Sequence, residues 1–431
     1  MSNITVDFNK KIGILKPVHG VGAPPFIGLD FEKFGFLKKA GIPFSRLHDV
    51  GYLNEHMVDI HKVFPNFDAD VENPNSYDFT FTDLLIKNLI ENNVEPFMRL
   101  GETIENARKI KAYNIYPPKD NLKWAKICEG IIRHYTEGWA DGFTYNINYW
   151  EIWNEPDNEE DISKNPCWLG TKEEFYELYN VASKYLKSKF PHLKIGGYGS
   201  CGFYALGSET PAFANSSSWT GYFLKFFEDF LKYVKENNCP FDFFTWHSYG
   251  NITDTVKYAE YSRKYLDDMG LYNVETICDE WNCSPRKRGT AEHAALIGGM
   301  LIGMQNSPLS CAMFYDARLT VSFYGGLFNP LTQTPFLSYY SFVAFNDLYQ
   351  LKNQYDVFSD NPNIYALASS DGKNKRIMLV NTSGDDIEIN INGFADRVSC
   401  KIANAENMWQ VCDCPQIIKG YTVIVISNTE Y

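Results

Sequence analysis

The sequence predicts an α/β protein in which a (β/α)8 TIM barrel precedes a small antiparallel β-sandwich domain. Three observations support this fold class. The chain has 431 residues, which suits one large domain and a small companion. From about Lys11 to Gln350, short apolar runs alternate eight times with longer amphipathic stretches. After about Leu351 the helical periodicity fades, and short strand-like segments separated by turn residues replace it.

Each predicted barrel strand is short and mostly apolar on both faces, as buried parallel strands are. The eight strands are Ile14–His19, Phe44–Leu47, Glu95–Leu100, Tyr149–Trp153, Lys194–Tyr198, Phe241–Trp246, Val274–Asp279 and Ala312–Tyr315. Between them lie helical patterns, of which the clearest are Phe81–Asn92, Lys172–Phe190 and Tyr222–Asn237. A doubly wound sheet is the alternative fold. It often has a glycine-rich phosphate loop, but here Pro25 stands where the pattern begun at Gly20 needs its third glycine.

We predict that residues 13–350 form the barrel and residues 351–431 the small domain. The predicted strands of the small domain are Ile364–Ala368, Arg376–Asn381, Asp386–Ile391 and Tyr421–Ile426. Turn signals such as Asp371-Gly372 separate them. The alternating segment Ile4–Phe8, within residues 1–12, could add one more strand to this domain.

Charge and composition exclude several classes of function. The chain has 53 acidic and 40 basic side chains, which gives a net charge of −13 and argues against nucleic acid or an anionic membrane as a partner. No apolar run approaches the length of a membrane span. The N-terminus has no apolar signal core, so we predict a cytoplasmic protein with free cysteines. Cys412 and Cys414 are neighbours, but nothing in the sequence completes a zinc pattern around them.

Two of the predicted strands lead into glutamates. The fourth strand leads into WEIWNEP at 150–156, and the seventh leads into ICDEWN at 277–282. The C-terminal ends of barrel strands meet at one mouth, so we expect Glu155 and Glu280 to face one cleft. Glycoside hydrolysis needs such a pair, one carboxyl to donate a proton and one to attack. With so many acids a chance pair is easy to find, but Asn154 adds a group suited to a sugar 2-hydroxyl.

Six segments together resemble family 39 of the clan A glycoside hydrolases, the family of β-xylosidases and α-L-iduronidases. They are KAGIPFSRLHD at 39–49, VEPFMRLG at 94–101, YWEIWNEPD at 149–157, LKIGG at 193–197, CPFDFFTWHSY at 239–249 and ICDEWN at 277–282. Their order and spacing extend the resemblance over most of the predicted barrel.

The resemblance implies a role for the residues at matched positions. Glu155 would be the general acid/base, and Glu280 would be the nucleophile of a retaining double displacement. Arg46 would keep Glu280 ionised, and Tyr249 would donate a hydrogen bond to the same carboxylate. We expect burial and the charge of Glu280 to raise the pKa of Glu155.

The resemblance also implies a set of sugar-binding residues. His48 and His247 are candidates for sugar hydroxyls, and Trp281 could stack on a sugar face. Relatives commonly have a tryptophan near the end of the eighth strand, where this chain has Phe314 and Tyr315, so we expect one of these two rings in that place.

One position departs from the family pattern. Arg99 stands in the third strand where the family segment has a glutamate. We expect an internal ion pair between Arg99 and either Glu102 or Glu151. The alternative is that Arg99 binds a carboxylate of an acidic substrate.

We therefore predict a retaining, exo-acting O-glycosidase, with a β-xylosidase-like enzyme that trims oligosaccharides as the leading hypothesis. The alternatives are a glycosidase of the same family acting on β-galactoside, α-L-arabinosyl or uronic acid substrates, and a non-catalytic sugar-binding barrel. No cofactor is expected, because two carboxylates and water suffice. No metal is expected either, because the eight histidines are scattered along the chain. The expected partner is the glycoside substrate, and self-association into a homo-oligomer is left open.

Overall fold

A computed structural model describes residues 1–51, 56–105, 114–208, 217–319 and 324–431 of the chain. The strands in these ranges are β1 (Ser2–Ile14), β2 (Gly20–Gly22), β3 (Phe44–Leu47), β4 (Glu95–Leu100), β5 (Tyr149–Ile152), β6 (Lys194–Ser200), β7 (Phe243–Ser248), β8 (Glu275–Trp281), β9 (Cys311–Phe314), β10 (Asn353–Ser359), β11 (Ile364–Ser370), β12 (Lys375–Asn381), β13 (Ile387–Asn392), β14 (Ser399–Ala403), β15 (Met408–Cys412), β16 (Ile417–Ile418) and β17 (Thr422–Ser427).

The helices of the described residues follow the barrel strands. They are α1 (Phe34–Lys39), α2 (Ile60–Val63), α3 (Thr80–Glu91), α4 (Asn121–Thr136), α5 (Lys172–Lys189), α6 (Ser217–Glu236), α7 (Ile252–Asp268), α8 (Ala291–Gln305) and α9 (Leu337–Tyr349). Short 3-10 helices occur at Pro74–Ser76, Ile162–Lys164, Tyr204–Leu206 and Pro285–Lys287. Among the helices described, none is long and apolar enough to cross a membrane.

Strands β2 to β9 close into an eight-stranded barrel in sequence order, and every neighbouring pair is parallel. The predicted fold class is therefore confirmed. The bounds of β3 and β4 agree with the prediction, and the barrel strands from β5 to β9 differ from it by one or two residues at their ends. The helices predicted at Phe81–Asn92, Lys172–Phe190 and Tyr222–Asn237 are present as α3, α5 and α6.

The interior of the barrel changes from apolar to charged along the strands. An apolar layer contains Phe97, Phe243, Ile277, Cys311 and Met313. Successive side chains of a strand point to opposite faces, so residues two positions further along face the interior again. At that level the buried side chains are Arg46, Arg99, Glu151, Thr245 and Asp279. The sequence thus places a charged layer directly below the mouth of the barrel.

The position of the first predicted strand is wrong. Ile14 ends β1, pairs with Asn353 of the other sheet and is 64% exposed. The barrel strand is Gly20–Gly22 instead, beyond Pro17, whose nitrogen cannot donate a ladder hydrogen bond. A Cβ atom on Gly20 would lie 2.9 Å from the carbonyl oxygen of Ala312. Gly20, which began the phosphate-loop pattern in the sequence, therefore allows close backbone packing where the barrel closes.

The remaining strands form one nine-stranded sheet in the order β15-β14-β17-β12-β11-β10-β1-β13-β16. All nine strands are hydrogen-bonded into this single sheet, and side chains from its distant strands, among them Ile4, Leu379 and Ile424, share one apolar core. Segment Ile4–Phe8 lies in β1, which pairs antiparallel with β10 and parallel with β13, as the sequence predicted. Strands β10, β14 and β15 were not predicted, because their sequences mix polar and apolar residues without clear alternation.

The nine-stranded sheet packs against α8 and α9 of the barrel. Twelve of the fifteen residues of α8 are buried, and the apolar core is continuous from its Met300 to Met378 and Val423 of the sheet. A Cβ atom on Gly298 would lie 3.1 Å from Cγ2 of Val380. The sheet therefore covers an apolar helix that would otherwise face water.

Removal of the residues after Leu351 should leave an insoluble barrel. The truncation exposes the apolar surface of α8 and α9 and leaves β1 without its partners β10 and β13. The measurement is the soluble yield of the truncated chain beside the full chain under the same expression conditions. Recovery of a soluble truncated protein with full activity would contradict a structural role for the sheet.

Candidate active site

The structure brings Glu155 and Glu280 together at the C-terminal mouth of the barrel. Glu155 follows β5 and Glu280 lies near the end of β8. One carboxylate oxygen of each, and a ring nitrogen of His247, all lie within 4.8 Å of one another. Glu280 is 4% exposed, and the side chain of Glu155 is 15% exposed. The pair predicted from two separate strand ends therefore faces one small cleft.

A strained turn after β5 places Glu155. Trp153 and Glu155 have φ values of 73° and 46°, a left-handed region that costs a residue with a side chain about 1–3 kcal/mol. Backbone hydrogen bonds hold the turn, and Glu155 N donates to the carbonyl oxygen of Gly199 at 3.0 Å. A Cβ atom on Gly199 would lie 2.9 Å from Nη2 of Arg46 and 3.0 Å from Oδ1 of Asn154. A glycine is therefore required at position 199.

Both oxygens of Glu280 accept hydrogen bonds from the partners that the sequence predicted. Arg46 Nη1 donates to Oε1 at 2.7 Å, and the hydroxyl of Tyr249 donates to Oε2 at 2.7 Å. Arg46 Nη2 also donates to Oδ1 of Asn154 at 2.7 Å. Because a guanidinium group has only donors, it fixes the amide of Asn154 with its oxygen towards Arg46. The amide NH2 of Asn154 is then the group left to donate elsewhere.

Two further carboxyl groups surround Arg46, and the sequence analysis did not select them as site residues. Glu151 Oε2 lies 2.8 Å from Arg46 Nε, and Asp279 Oδ2 lies 2.7 Å from the same atom. The nitrogen Nε has a single hydrogen, and Glu151 accepts it. Burial raises the pKa of Asp279 well above its usual value against the opposing charge of Arg46, and the neighbouring Glu151 raises it further. Asp279 therefore holds its proton to a higher pH than an exposed aspartate does.

Only one of these two fully buried acids had a signal in the sequence. Glu151 is the one charged residue of β5, whereas β8 also contains Glu275, Thr276 and Glu280 beside Asp279. The second oxygen of Glu151 accepts a hydrogen bond from Oγ1 of Thr245 at 2.6 Å. Buried acids of this kind need a partner: Glu151 accepts hydrogen bonds from Arg46 and Thr245, and Asp279 lies against the same guanidinium group.

His247 binds the other catalytic candidate. Its Nδ1 lies 2.7 Å from Oε1 of Glu155, and Asn158 Nδ2 donates to Oε2 of Glu155 at 2.8 Å. Burial alone would lower the pKa of His247, but the charges of Glu280 and Asp279 and the contact with Glu155 raise it to about 9. His247 is therefore an imidazolium at neutral pH, and it donates its Nδ1 hydrogen to Glu155.

The expected direction of the Glu155 pKa is wrong for this structure. Burial does raise it, but the hydrogen bond and the charge of His247, with a smaller contribution from Asn158, outweigh burial and lower the pKa of Glu155. The charge of Glu280 was the effect that we weighed from the sequence. The sequence could not show that His247 is hydrogen-bonded to Glu155 and carries a proton.

His48 and Tyr315 lie on the opposite wall of the cleft. Burial, together with the charges of Arg99 and Arg46, lowers the pKa of His48 well below its usual value, so the imidazole is neutral. Its Nε2 lies 3.2 Å from Oδ1 of Asp49. The hydroxyl of Tyr315 donates to Oδ2 of Asp49 at 2.9 Å. Burial raises the pKa of Asp49 to about 6.

A tyrosine that the sequence analysis did not single out completes this wall. The ring of Tyr324 lies 4.8 Å from that of Tyr249 and 5.6 Å from that of Tyr315. Phe314, the other candidate for the end of the eighth strand, is fully buried in the core. The aromatic surface near the catalytic pair is thus built from tyrosines.

Trp281 does not lie in the cleft, so the prediction that it stacks on a sugar face is wrong. The indole is fully buried, with its ring 5.1 Å from that of Phe314 and 6.3 Å from that of Phe342. Asp279 and Glu280 both face the interior because the pairing of β8 with β9 shifts register between Cys278 and Trp281, so the side chain of Trp281 points outward to the helices. Trp281 is therefore a core residue of the barrel wall.

Arg99 forms an internal ion pair, as expected, but with a different partner. Its Nη2 lies 2.5 Å from Oδ1 of Asp59, whereas Glu102 pairs with His61 and Glu151 with Arg46. The prediction of Glu102 or Glu151 as the partner is wrong, because Asp59 reaches Arg99 from a loop that sequence spacing could not place. Asp59 also lies 2.7 Å from Nδ1 of His56.

Two groups in the described part of the chain have donor atoms spaced as metal ligands are. One is Glu155, His247 and Glu280, and the other is His56, Asp59 and His61; in each group the atoms lie within 4.8 Å of one another. Although the eight histidines are scattered along the sequence, three of them lie in these two groups. The carboxylate oxygens of Asp59 contact His56 and Arg99, and Oε1 of Glu155 contacts His247, so these atoms already have partners within the protein.

Comparisons with known proteins identify relatives of the chain. A beta-xylosidase of Caldicellulosiruptor saccharolyticus is 24% identical over 466 aligned positions, which cover 94% of this chain and 87% of that protein. A beta-xylosidase of Geobacillus stearothermophilus is 26% identical over 252 residues, which cover 57% of this chain. The matched region spans only 43% of the length of that second relative.

Solved structures of similar fold extend over the whole chain. A glucosidase from Croceicoccus marinus superposes with a TM-score of 0.80 at 20% identity and covers 99% of this chain and 98% of its own. A monomeric beta-xylosidase from Caulobacter crescentus CB15 has a TM-score of 0.70 at 15% identity and 99% coverage of both chains. The family model described as Glycosyl hydrolases family 39 matches residues 31–309. Since this match includes more than half of the chain, the protein belongs to glycosyl hydrolases family 39.

Proposed function

We propose that the chain is a retaining, exo-acting glycoside hydrolase that removes β-xylosyl units from oligosaccharides. The observation that carries the proposal is the Glu155–Glu280 pair, whose nearest oxygens lie within 4.8 Å of each other. Retaining enzymes hold their carboxyl groups about 5–5.5 Å apart, whereas inverting enzymes separate them by about 6.5–9.5 Å to admit a water molecule. The short spacing supports direct attack by one carboxylate.

Glu280 is the nucleophile in this proposal. Arg46 and Tyr249 each donate a hydrogen bond to one of its oxygens, which keeps the group ionised and aims it at the anomeric carbon. When one oxygen bonds to the sugar, the other stays hydrogen-bonded. The guanidinium of Arg46 also stabilises the free carboxylate that returns when water releases the sugar.

Glu155 delivers the proton to the leaving oxygen, and His247 stores that proton in the free enzyme. The hydrogen on His247 Nδ1 points at Glu155 Oε1, so it can move to that oxygen, and Glu155 then donates the same proton to the leaving oxygen. After the aglycone departs, Glu155 takes a proton from the attacking water, and the pair returns to its starting state.

The two relatives named beta-xylosidase favour a β-xyloside, and the solved glucosidase keeps a β-glucoside in consideration. The amide NH2 of Asn154 is placed to donate to the sugar 2-hydroxyl, and neutral His48 with Tyr315 and Tyr324 offers contacts to the other hydroxyls. A few such contacts decide specificity within one family.

An aryl-glycoside panel tests the function. Wild type and Glu280→Ala should be assayed in parallel on β-xyloside, β-galactoside, β-glucoside, α-L-arabinosides and an α-L-iduronide. We expect hydrolysis of the β-xyloside by wild type and none by the variant. Silence on every member, with xylo-oligosaccharides also left intact, would contradict the proposal and favour a sugar-binding barrel.

The pH profile should report the proton held between His247 and Glu155. Since the pKa of His247 is raised to about 9, the proton is kept below that pH and lost as the pH rises through it. We expect kcat/KM to fall on the alkaline side near pH 9, and His247→Asn to move that limb at least one unit towards acid. An unchanged alkaline limb in the variant would show that the proton is held elsewhere.

Substitutions in the two buried acids should have unequal effects. Burial raises the pKa of Asp279, so an amide of the same shape should be tolerated there, and we expect Asp279→Asn to keep kcat/KM within about threefold of wild type. Glu151→Gln removes the anion that holds Arg46 Nε and Thr245, so we expect a loss of about 10–100-fold and lower stability, since unpairing a buried charge costs about 3–5 kcal/mol. Steady-state kinetics and urea unfolding of both variants measure this, and equal damage in the two would contradict the unequal roles of these acids.

A further inference from the structure

Three of the ten cysteines converge in the nine-stranded sheet, in a part of the chain that the proposed reaction does not use. Cys400 of β14 and Cys412 of β15 are cross-strand partners. Cys414 follows two residues later, and its sulfur lies 2.9 Å from the sulfur of Cys400. All three are free thiols. Sequence spacing had suggested only Cys412 and Cys414 as neighbours, and the fold adds Cys400 from another strand.

The geometry needs little change to join two of these sulfurs. A disulfide bond is about 2.03–2.05 Å long, so Cys400 and Cys414 are about 0.9 Å beyond bonding distance. Cys400 is fully buried in the apolar core of the sheet, against which Cys412 and Cys414 pack while keeping part of their surface in contact with solvent. A soluble reagent can therefore reach the pair from the side of Cys414.

We propose that Cys400 and Cys414 are a site of reversible thiol oxidation, which a low-molecular-weight disulfide such as oxidised glutathione converts into an intramolecular disulfide.

The reaction proceeds by two exchanges. The thiolate of the half-buried Cys414 attacks glutathione disulfide, forms a mixed disulfide and releases one glutathione thiolate. The sulfur of Cys400 then attacks the sulfur of Cys414 and releases the second glutathione. The two cysteine protons end on the two glutathione thiols, so two thiols and one disulfide become one disulfide and two thiols. Burial raises the pKa of the Cys400 thiol, which suits Cys400 to the second step rather than the first.

The bond would close the hairpin of β14 and β15. Between its two cysteines lies Trp409, whose ring lies nearly parallel to that of Tyr340 in α9, with centroids 6.4 Å apart. The link would therefore fix the edge of the sheet where it touches the barrel, without contact to Glu155 or Glu280.

Peptide mapping tests the site directly. The native full chain is treated with oxidised glutathione, its remaining thiols are blocked in denaturant, and it is cleaved with trypsin and endoproteinase Asp-N. Trypsin cuts after Lys401, between Cys400 and the other two cysteines, and Asp-N cuts before Asp413, between Cys412 and Cys414. We expect peptides 398–401 and 413–419 to be joined, at about 2 Da less than the sum of their reduced masses. Links through Cys412, glutathione adducts alone, or no link would overturn the proposal.

Matched serine variants provide a second test of which cysteines react. The number of thiols counted in denaturant should fall by two after oxidation of wild type and of Cys412→Ser. Cys414→Ser should form no intramolecular link. Because these residues lie outside the catalytic cleft, all three proteins should hydrolyse an aryl glycoside equally when reduced. A link that forms equally well in Cys414→Ser, or that is lost in Cys412→Ser, would show that another pair reacts.

Discussion

Replacement of Glu280 by alanine should reduce turnover by about 10⁴–10⁶-fold on every substrate, whatever its leaving group. In the proposed reaction no other described side chain can form the glycosyl bond at that place. Arg46 keeps its contacts with Glu151 and Asp279, so the variant should still fold. Steady-state rates on the preferred aryl glycoside measure the loss, and thermal unfolding checks the fold.

Tyr249→Phe is the matched control for this variant. It removes only the hydrogen bond to Oε2 of Glu280, so we expect a partial loss of about tenfold, in line with one hydrogen bond to a charged group. A residual rate in Glu280→Ala as high as that of Tyr249→Phe would contradict the role of Glu280 as the nucleophile.

Replacement of Glu155 by alanine should separate good from poor leaving groups. A phenol that leaves only with help from a proton should lose about 10²–10⁴-fold in rate, whereas an acidic dinitrophenol, which leaves unaided, should lose far less in the first step. Rates across a series of aryl glycosides of different phenol pKa measure this. A steep dependence on the phenol pKa is expected in the variant.

Added azide should partly restore Glu155→Ala. The substitution leaves the imidazolium of His247 and the amide of Asn158 without their carboxylate partner, so a small anion can occupy the vacated place and attack the glycosyl intermediate. The product should be a glycosyl azide with the configuration of the substrate. Equal losses on good and poor leaving groups, with no effect of azide, would argue against Glu155 as the proton donor.

The fold could be predicted largely from hydrophobic patterning. Buried parallel strands such as Glu95–Leu100 stand out as short apolar runs, and the structure keeps those bounds. The first barrel strand was predicted at the wrong position because it is only three residues long, Gly20–Gly22, and two of these residues are glycines, which contribute no apolar side chain. Strand β15 was not predicted because its residues are mostly exposed, which removes the alternation that identifies a half-buried strand.

The candidate site was predictable where a residue's neighbours in sequence define its position. Glu155 and Glu280 follow from strand ends, and the contacts of Arg46 and Tyr249 follow from the family resemblance. The burial of Trp281, the partner of Arg99 and the proton on His247 were not predictable, because each depends on a side chain that approaches from a distant element. The lowered pKa of Glu155 has the same cause.

Trapping the covalent intermediate tests the central claim most directly. Wild type is treated with a 2-deoxy-2-fluoro glycoside of the preferred sugar that carries a dinitrophenyl leaving group, because the fluorine slows release of the intermediate more than the activated leaving group slows its formation. We expect stoichiometric inactivation of the enzyme, with one fluoroglycosyl group on tryptic peptide 265–286 and the label on Glu280. A label on Glu155, or hydrolysis with inversion and no adduct, would contradict it.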